Sequence, residues 1–93
     1  MFLEIITPEA SILQSEVTSV AVPGINGSFQ MLENHAPIVS LLEKGVITIK
    51  GDAINIVQPF IKQFKRPGDN EFQLEINGGT IEMNSNKVII LVD

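Results

Sequence analysis

The sequence predicts an all-β fold, a sandwich or a barrel. Three observations carry this: short runs with apolar side chains at every second position, turn formers between them at close intervals, and no stretch suited to a long helix. Isoleucine and valine are abundant in these runs, and their branched side chains suit a pleated surface.

The elements follow in chain order. Leu3 and Ile5 of "MFLEIIT" are expected in the core. "PEASIL" and "MLENHAPIVSLLEKG" are the two places where a helical turn is conceivable. Pro37 cuts the second, because a proline biases its predecessor, Ala36, out of the α region. "SVAVP" sets Val20 and Val22 on one side, and Pro23-Gly24 predicts a type II turn, since Pro fixes φ and Gly accepts φ > 0. Asn26-Gly27 suits the type I′ turn of a tight hairpin. "GVITIKG" aligns Ile47 with Ile49.

In "GDAINIVQPFIKQFKRPGDNE", Ile54 and Ile56 alternate with Asn55, and the spacing of Phe60 and Phe64 lets both face one side of a strand. This segment reads as longer hairpin strands or an extra hairpin with its tip at Pro67-Gly68, interrupted at Pro59, which cannot donate to a ladder. "EFQLEIN" alternates strictly, with Phe72, Leu74 and Ile76 on the dry face. Asn77-Gly78-Gly79 predicts a bulge or tight turn, "TIEMN" pairs Ile81 with Met83, and Asn84-Ser85-Asn86 predicts another turn. "VIILV", apolar on both faces, predicts a strand covered on both sides. The expected core is Leu3, Ile5, Val20, Val22, Ile47, Ile49, Leu74, Ile76 and Ile81.

Composition bounds the function. Ninety-three residues suit a single domain, 1–93, with one core. At 44% hydrophobic and 18% charged residues the chain is globular. The net charge of -5 argues against nucleic acid, whose phosphates call for a basic face, and "KQFKR" reads as a solvated strand end. With no cysteine there is no disulfide, thiolate metal site or thiol catalysis. One histidine and scattered acids do not supply a metal site, so neither metal nor cofactor is expected. "GINGSF" lacks the lysine and following helix of a phosphate cradle. The start meets Glu4 without a basic region, unlike a signal peptide, and "VIILV" is far short of the ~20 residues of a spanning helix, so no direct membrane insertion is expected. The residues alone describe a non-catalytic, monomeric β module that binds something. His35, the one histidine, remains open between an active site, a structural residue and a docking surface.

The stretches "LEIITPEASILQSEVTSVAVPGINGSFQMLENHAPIVSLLEKGVITI" and "LEINGGTIEMNSNKVIILVD" resemble the N-terminal domain of the epsilon subunit of bacterial F-type ATP synthases, the subunit called delta in mitochondria. The resemblance runs through a VPGxxGxFxxLxxHAPxVxxLxxGxI pattern, Val22 to Ile47, and a closing GGxxEVxxNxVxxLxD pattern, Gly78 to Asp93, with Met83 in place of Val. It implies an antiparallel sandwich of about ten strands and a non-catalytic rotor subunit of the central stalk. Its implied partners are the gamma subunit, the c-ring loops and the rest of the complex, at the cytoplasmic face of the bacterial inner membrane. The implied docking edge is Gly24 to Pro37. Gly27 would form a tight loop tip from which Asn26 and Ser28 face the c ring. Met31, Leu32 and His35 would lie nearer gamma, with one of Met31 and Leu32 in the core, and Ala36 and Pro37 would hold the shape of the His35 loop.

Two departures stand beside the resemblance. Residues 51–71 are longer than the family's usual turn there, and the helical hairpin that follows in longer members, with its residues for ATP, has no counterpart before Asp93. A free-standing sandwich that binds a glycan or peptide is the alternative reading.

Overall fold

The computed structural model describes residues 1–93 as ten strands and one short 3-10 turn. The strands are β1 (Phe2–Ile6), β2 (Ser11–Glu16), β3 (Ser19–Gly24), β4 (Gly27–Leu32), β5 (Ile38–Leu42) and β6 (Gly45–Lys50). After the 3-10 turn (Phe60–Gln63) come β7 (Phe64–Gly68), β8 (Glu71–Ile76), β9 (Gly79–Asn84) and β10 (Lys87–Val92). Neither "PEASIL" nor "MLENHAPIVSLLEKG" contains a helical turn; both feed into strands.

The ladder runs β2-β1-β10-β9-β5-β3-β6-β8-β7, with β4 on the other edge of β3. The path folds over at β5–β3, where pairing shrinks to Gly24 opposite Leu42. One layer is therefore β2-β1-β10-β9-β5 and the other β4-β3-β6-β8-β7. Between them 21 buried apolar residues form one cluster, including all nine side chains expected there. β1 and β10 pair in parallel, a departure from the antiparallel expectation. No hairpin joins these end strands, so no turn imposes their direction.

Several turn expectations resolve differently. Pro23 and Gly24 are buried at the end of β3 and form no turn. The β3–β4 loop is Ile25-Asn26, and Gly27, at φ +118°, opens β4 and carries the left-handed conformation that a type I′ turn would have put on the loop residues. Ser85 and Asn86, at φ 52° and 61°, form the hairpin in which both loop residues are left-handed, the type I′ signature. In β10, Val88 and Ile90 are buried while Leu91 is 49% exposed, so "VIILV" is covered on one face only.

The long segment after β6 has a clear structural role. Its first part lies against the outer edge of β2: Ile56 bridges Leu13, Val57 N–H bonds the Ile12 carbonyl at 3.0 Å, and Asn55 N–H bonds Ser15 Oγ at 2.9 Å. Pro59 falls outside any strand. Phe60 opens the 3-10 turn and Phe64 opens β7, so the two share no strand; Phe64 is buried edge-on against Phe72 at 6.3 Å. The extra hairpin expected from sequence is β7–β8, but its tip is Asp69-Asn70 and not Pro67-Gly68, which end β7, where Gly68 pairs with Glu71. The segment thus covers the edge of one layer and adds a strand to the other.

Gly79 lies so close to β10 that a Cβ there would overlap the Leu91 carbonyl oxygen, whereas one on Gly68 would meet nothing within 4 Å. Gly79→Ala is therefore expected to lower unfolding free energy by about 1–3 kcal/mol, and Gly68→Ala to change it by less than about 0.5 kcal/mol. Ile81→Ala, which removes a fully buried side chain, is expected to cost about 2–5 kcal/mol. Urea titrations of the three variants check this order.

Candidate functional site

The stretch from Gly24 to Pro37 spans the full length of the sandwich. The β3–β4 hairpin starts it at one end with Ile25-Asn26, and six residues of β4 carry the chain to the opposite end, where Glu33 to Pro37 cross toward β5. At ~3.4 Å per residue, Asn26 and His35 stand at opposite poles. Asn26, Gly27 and Ser28 are exposed at the first pole, and His35, Ala36 and Pro37 at the second. Gly24 is buried, because its Cα hydrogens face the Phe29 ring: a Cβ would come within 2.7 Å of Phe29 Cε1 and 2.8 Å of the Gly27 oxygen. Met31 is fully buried and Leu32 is 55% exposed, on the outer face of the second layer beside Ser19. The sequence-predicted residues therefore form two polar poles joined by a strand.

The loop at the His35 pole is held by its neighbours. Asn34, at φ 60°, donates its backbone N–H to Asn86 Oδ1 at 2.9 Å, which ties the loop to the β9–β10 turn. His35 donates its backbone N–H to the Leu32 carbonyl at 3.2 Å, and its exposed ring places Nδ1 2.7 Å from the Ala36 carbonyl. At the same pole the Met1 side chain enters the core while its ammonium stays between two exposed carboxylates, Glu16 at 3.2 Å and Glu33 at 3.1 Å. These contacts pin the ends of β1, β2 and β4 together.

Sequence reasoning missed the outer face of the first layer. Val39 is 75% exposed, Leu41 56% and Leu91 49%. Register places Leu41, Thr80, Leu91 and Ile6 in one row across β5, β9, β10 and β1, with Val39, Glu82, Ile89 and Glu4 in the next. A hollow of about 250 Å³ borders it, lined by Pro37, Ile38, Val39, Glu82, Met83 and Asn84. The signal was present in "IVSLL": Ser40 occupies an inward position while Val39 and Leu41 point outward, the reverse of an ordinary half-buried strand. Two carboxylates, Glu4 and Glu82, share this face, while Glu33 is the one charged residue between Val17 and Leu42. A largely apolar surface of this kind is suited to covering by another protein.

Comparison with known proteins gives a consistent picture. The family model described as "ATP synthase, Delta/Epsilon chain, beta-sandwich domain" matches residues 1–62. The ATP synthase epsilon chain of Moorella thermoacetica is 37% identical over 98% of this chain and 57% of its own length. That of Campylobacter curvus is 33% identical over all of this chain and 60% of its own. The epsilon chain of Chlorobium limicola is 32% identical over 98% of this chain and 86% of its own. The sequence thus spans a little over half the length of the first two. A chain in the Euglena gracilis mitochondrial ATP synthase (OSCP/F1/c-ring) matches with a TM-score of 0.73 at 21% identity over 97% of this chain and 48% of that one. A chain in the Tetrahymena thermophila mitochondrial ATP synthase central stalk/c-ring matches with a TM-score of 0.66 at 15% identity over 99% of this chain and 62% of that one. At these identities the two structures share the fold.

The Met1 ammonium makes the His35 pole sensitive to pH. Desolvation lowers its pKa, but the hydrogen bonds to Glu33 and Glu16 and their negative charges outweigh that and leave it raised above 8.0. A group whose pKa is raised on folding stabilises fully below its unfolded value and loses that contribution as pH climbs through the folded one. Stability of the 93-residue chain is therefore expected to begin falling near pH 8.0 and to level off above the folded pKa. Acetylating the Met1 amine should abolish this alkaline step. Thermal melts of both forms across this range test it.

Proposed function

The chain belongs to the ATP synthase delta/epsilon chain family, and from that premise we propose that it serves as a non-catalytic rotor subunit of the central stalk, docking on the gamma subunit and the c ring. The observation that carries this reading is the exposed apolar patch of Val39, Leu41 and Leu91, which lies in two neighbouring rows on the outer face of the first layer. Burying such residues against a partner supplies most of the free energy of a protein interface, while polar rims fix its register. Ala36 and Pro37 lead straight from the His35 loop into this face, so that pole and the β5 face form one continuous gamma-facing surface. Asn26, Gly27 and Ser28, at the other pole, present neutral polar groups to the c-ring loops. In this reading the protein is peripheral to a membrane as part of the complex, at the cytoplasmic face of the bacterial inner membrane.

The sandwich suits the role physically. A torque-bearing joint needs an element that does not flex, and a close-packed interior tied by continuous ladders deforms little. The polypeptide itself bonds no substrate; its contribution to coupling is shape and stiffness.

Calorimetry against purified gamma tests the assignment. Leu41→Glu and Val39→Glu should each weaken binding at least about tenfold, or ~1.4 kcal/mol, by placing a charge where burial disfavours it. His35→Glu is expected to have an effect of the same order, while Asn70→Glu, on the β7–β8 turn at the same pole but three strands across the second layer from β4, should have little. Folded variants that bind like the unmodified chain would remove this face from the interface. A chain that ignores gamma and binds glycans would instead be a free-standing module.

A further inference from the structure

The sheet has three terminal strands, and two of them are guarded. β2 is covered by the backbone of Asn55 to Val57. β7 carries Lys65, Arg66 and Pro67 and a register shift, which are devices that discourage strand pairing. β4, "GSFQML", has neither: it contains no charge and no proline and pairs with β3 alone.

The direction of its free groups follows from register. Pro23, which has no N–H, faces Ser28, and hydrogen-bonded and non-hydrogen-bonded pairs alternate along an antiparallel ladder. Ser28, Gln30 and Leu32 thus turn their N–H and C=O groups away from β3. The Leu32 carbonyl confirms the alternation, since it accepts from His35 N–H outside the ladder. The N–H groups of Ser28, Gln30 and Leu32 and the carbonyls of Ser28 and Gln30 are left for another strand.

We infer that β4 is a strand-docking edge, at which an extended segment of the stalk partner adds antiparallel and continues the second layer; this rests on the gamma-docking reading above. The chemistry of β4 describes that segment. Phe29 is only half-buried on the inward side, so the segment carries an apolar residue that completes its cover. Beside Ser28 and Gln30 it is uncharged, and a basic residue suits the end that passes Glu33. A neutral or basic segment is favoured over a second copy of this chain, whose net charge is also -5.

Hydrogen exchange and calorimetry with purified gamma test the inference. In the complex, the Ser28 and Gln30 amides should become strongly protected while the exposed β7 amides do not. Gln30→Pro removes one outward N–H without touching the bonds to β3, and should weaken binding at least tenfold. Gln30→Lys serves as a second variant should the proline disturb folding, which circular dichroism and a thermal melt would show. Tight gamma binding with unprotected β4 amides and unaffected Gln30 variants would overturn strand addition and leave the gamma assignment standing. Absence of gamma binding by the unmodified chain would overturn both. Concentration-dependent dimers of the free chain, abolished by Gln30→Pro, would give the edge to a second copy and overturn the partner assignment.

Discussion

The fold depends on one close approach, the corner where Gly24 meets Leu42. This single pair joins two layers into one ladder, and glycines at and beside it leave room for the Phe29 and Pro23 side chains. A Cβ on Gly24 would strike the Phe29 ring, and one on Gly45 would sit 2.6 Å from Pro23 Cβ. With the corner closed, Pro23 accepts from Glu43 N–H at 2.8 Å, and the β3–β4 hairpin is fixed along one side of the sandwich. The positions of β4, the His35 loop and the β5 face all follow from that placement.

The opposite side is closed by different means. There the long segment after β6 lies along β2 and returns as β7, so one insertion manages both open edges. Its hydrogen bonds to β2 are few, but they satisfy backbone groups that would otherwise invite pairing. The result is an asymmetric molecule. One side is sealed and edged with charge; the other offers an apolar face and an unguarded strand without charge.

That asymmetry separates stability from recognition. Core residues such as Leu3, Ile47 and Ile81 hold the layers together regardless of any partner. Val39, Leu41 and Leu91 leave about half or more of their surface in water, and a second surface that covered them would gain from their burial. The polar poles at Asn26 and His35 complement this face at its ends, where polar contacts set orientation more than affinity.

Much of this was legible in the sequence, because strand periodicity is local. Alternation alone identified the buried faces of β3, β6, β8 and β9, and the motif from Val22 to Ile47 identified the family. The candidate site was legible only in part. Asn26 to Ser28 and His35 to Pro37 were singled out by the family motif and end up exposed, yet adjacency in sequence suggested one edge where a straight strand holds them at opposite poles. Of the face of Val39, Leu41, Leu91 and Ile6 only the outward Val39 and Leu41 left a trace in the sequence, since its members come from three strands that become neighbours only through the ladder. Pro23-Gly24 looked like a turn because local chemistry permits one, but packing against Phe29 used the same glycine for closeness. The sequence by itself determined which residues alternate into a core, since alternation follows from properties of neighbouring residues. Only the tertiary structure decided which edges stay open and which apolar side chains remain uncovered, because those depend on the pairing of strands far apart in the chain.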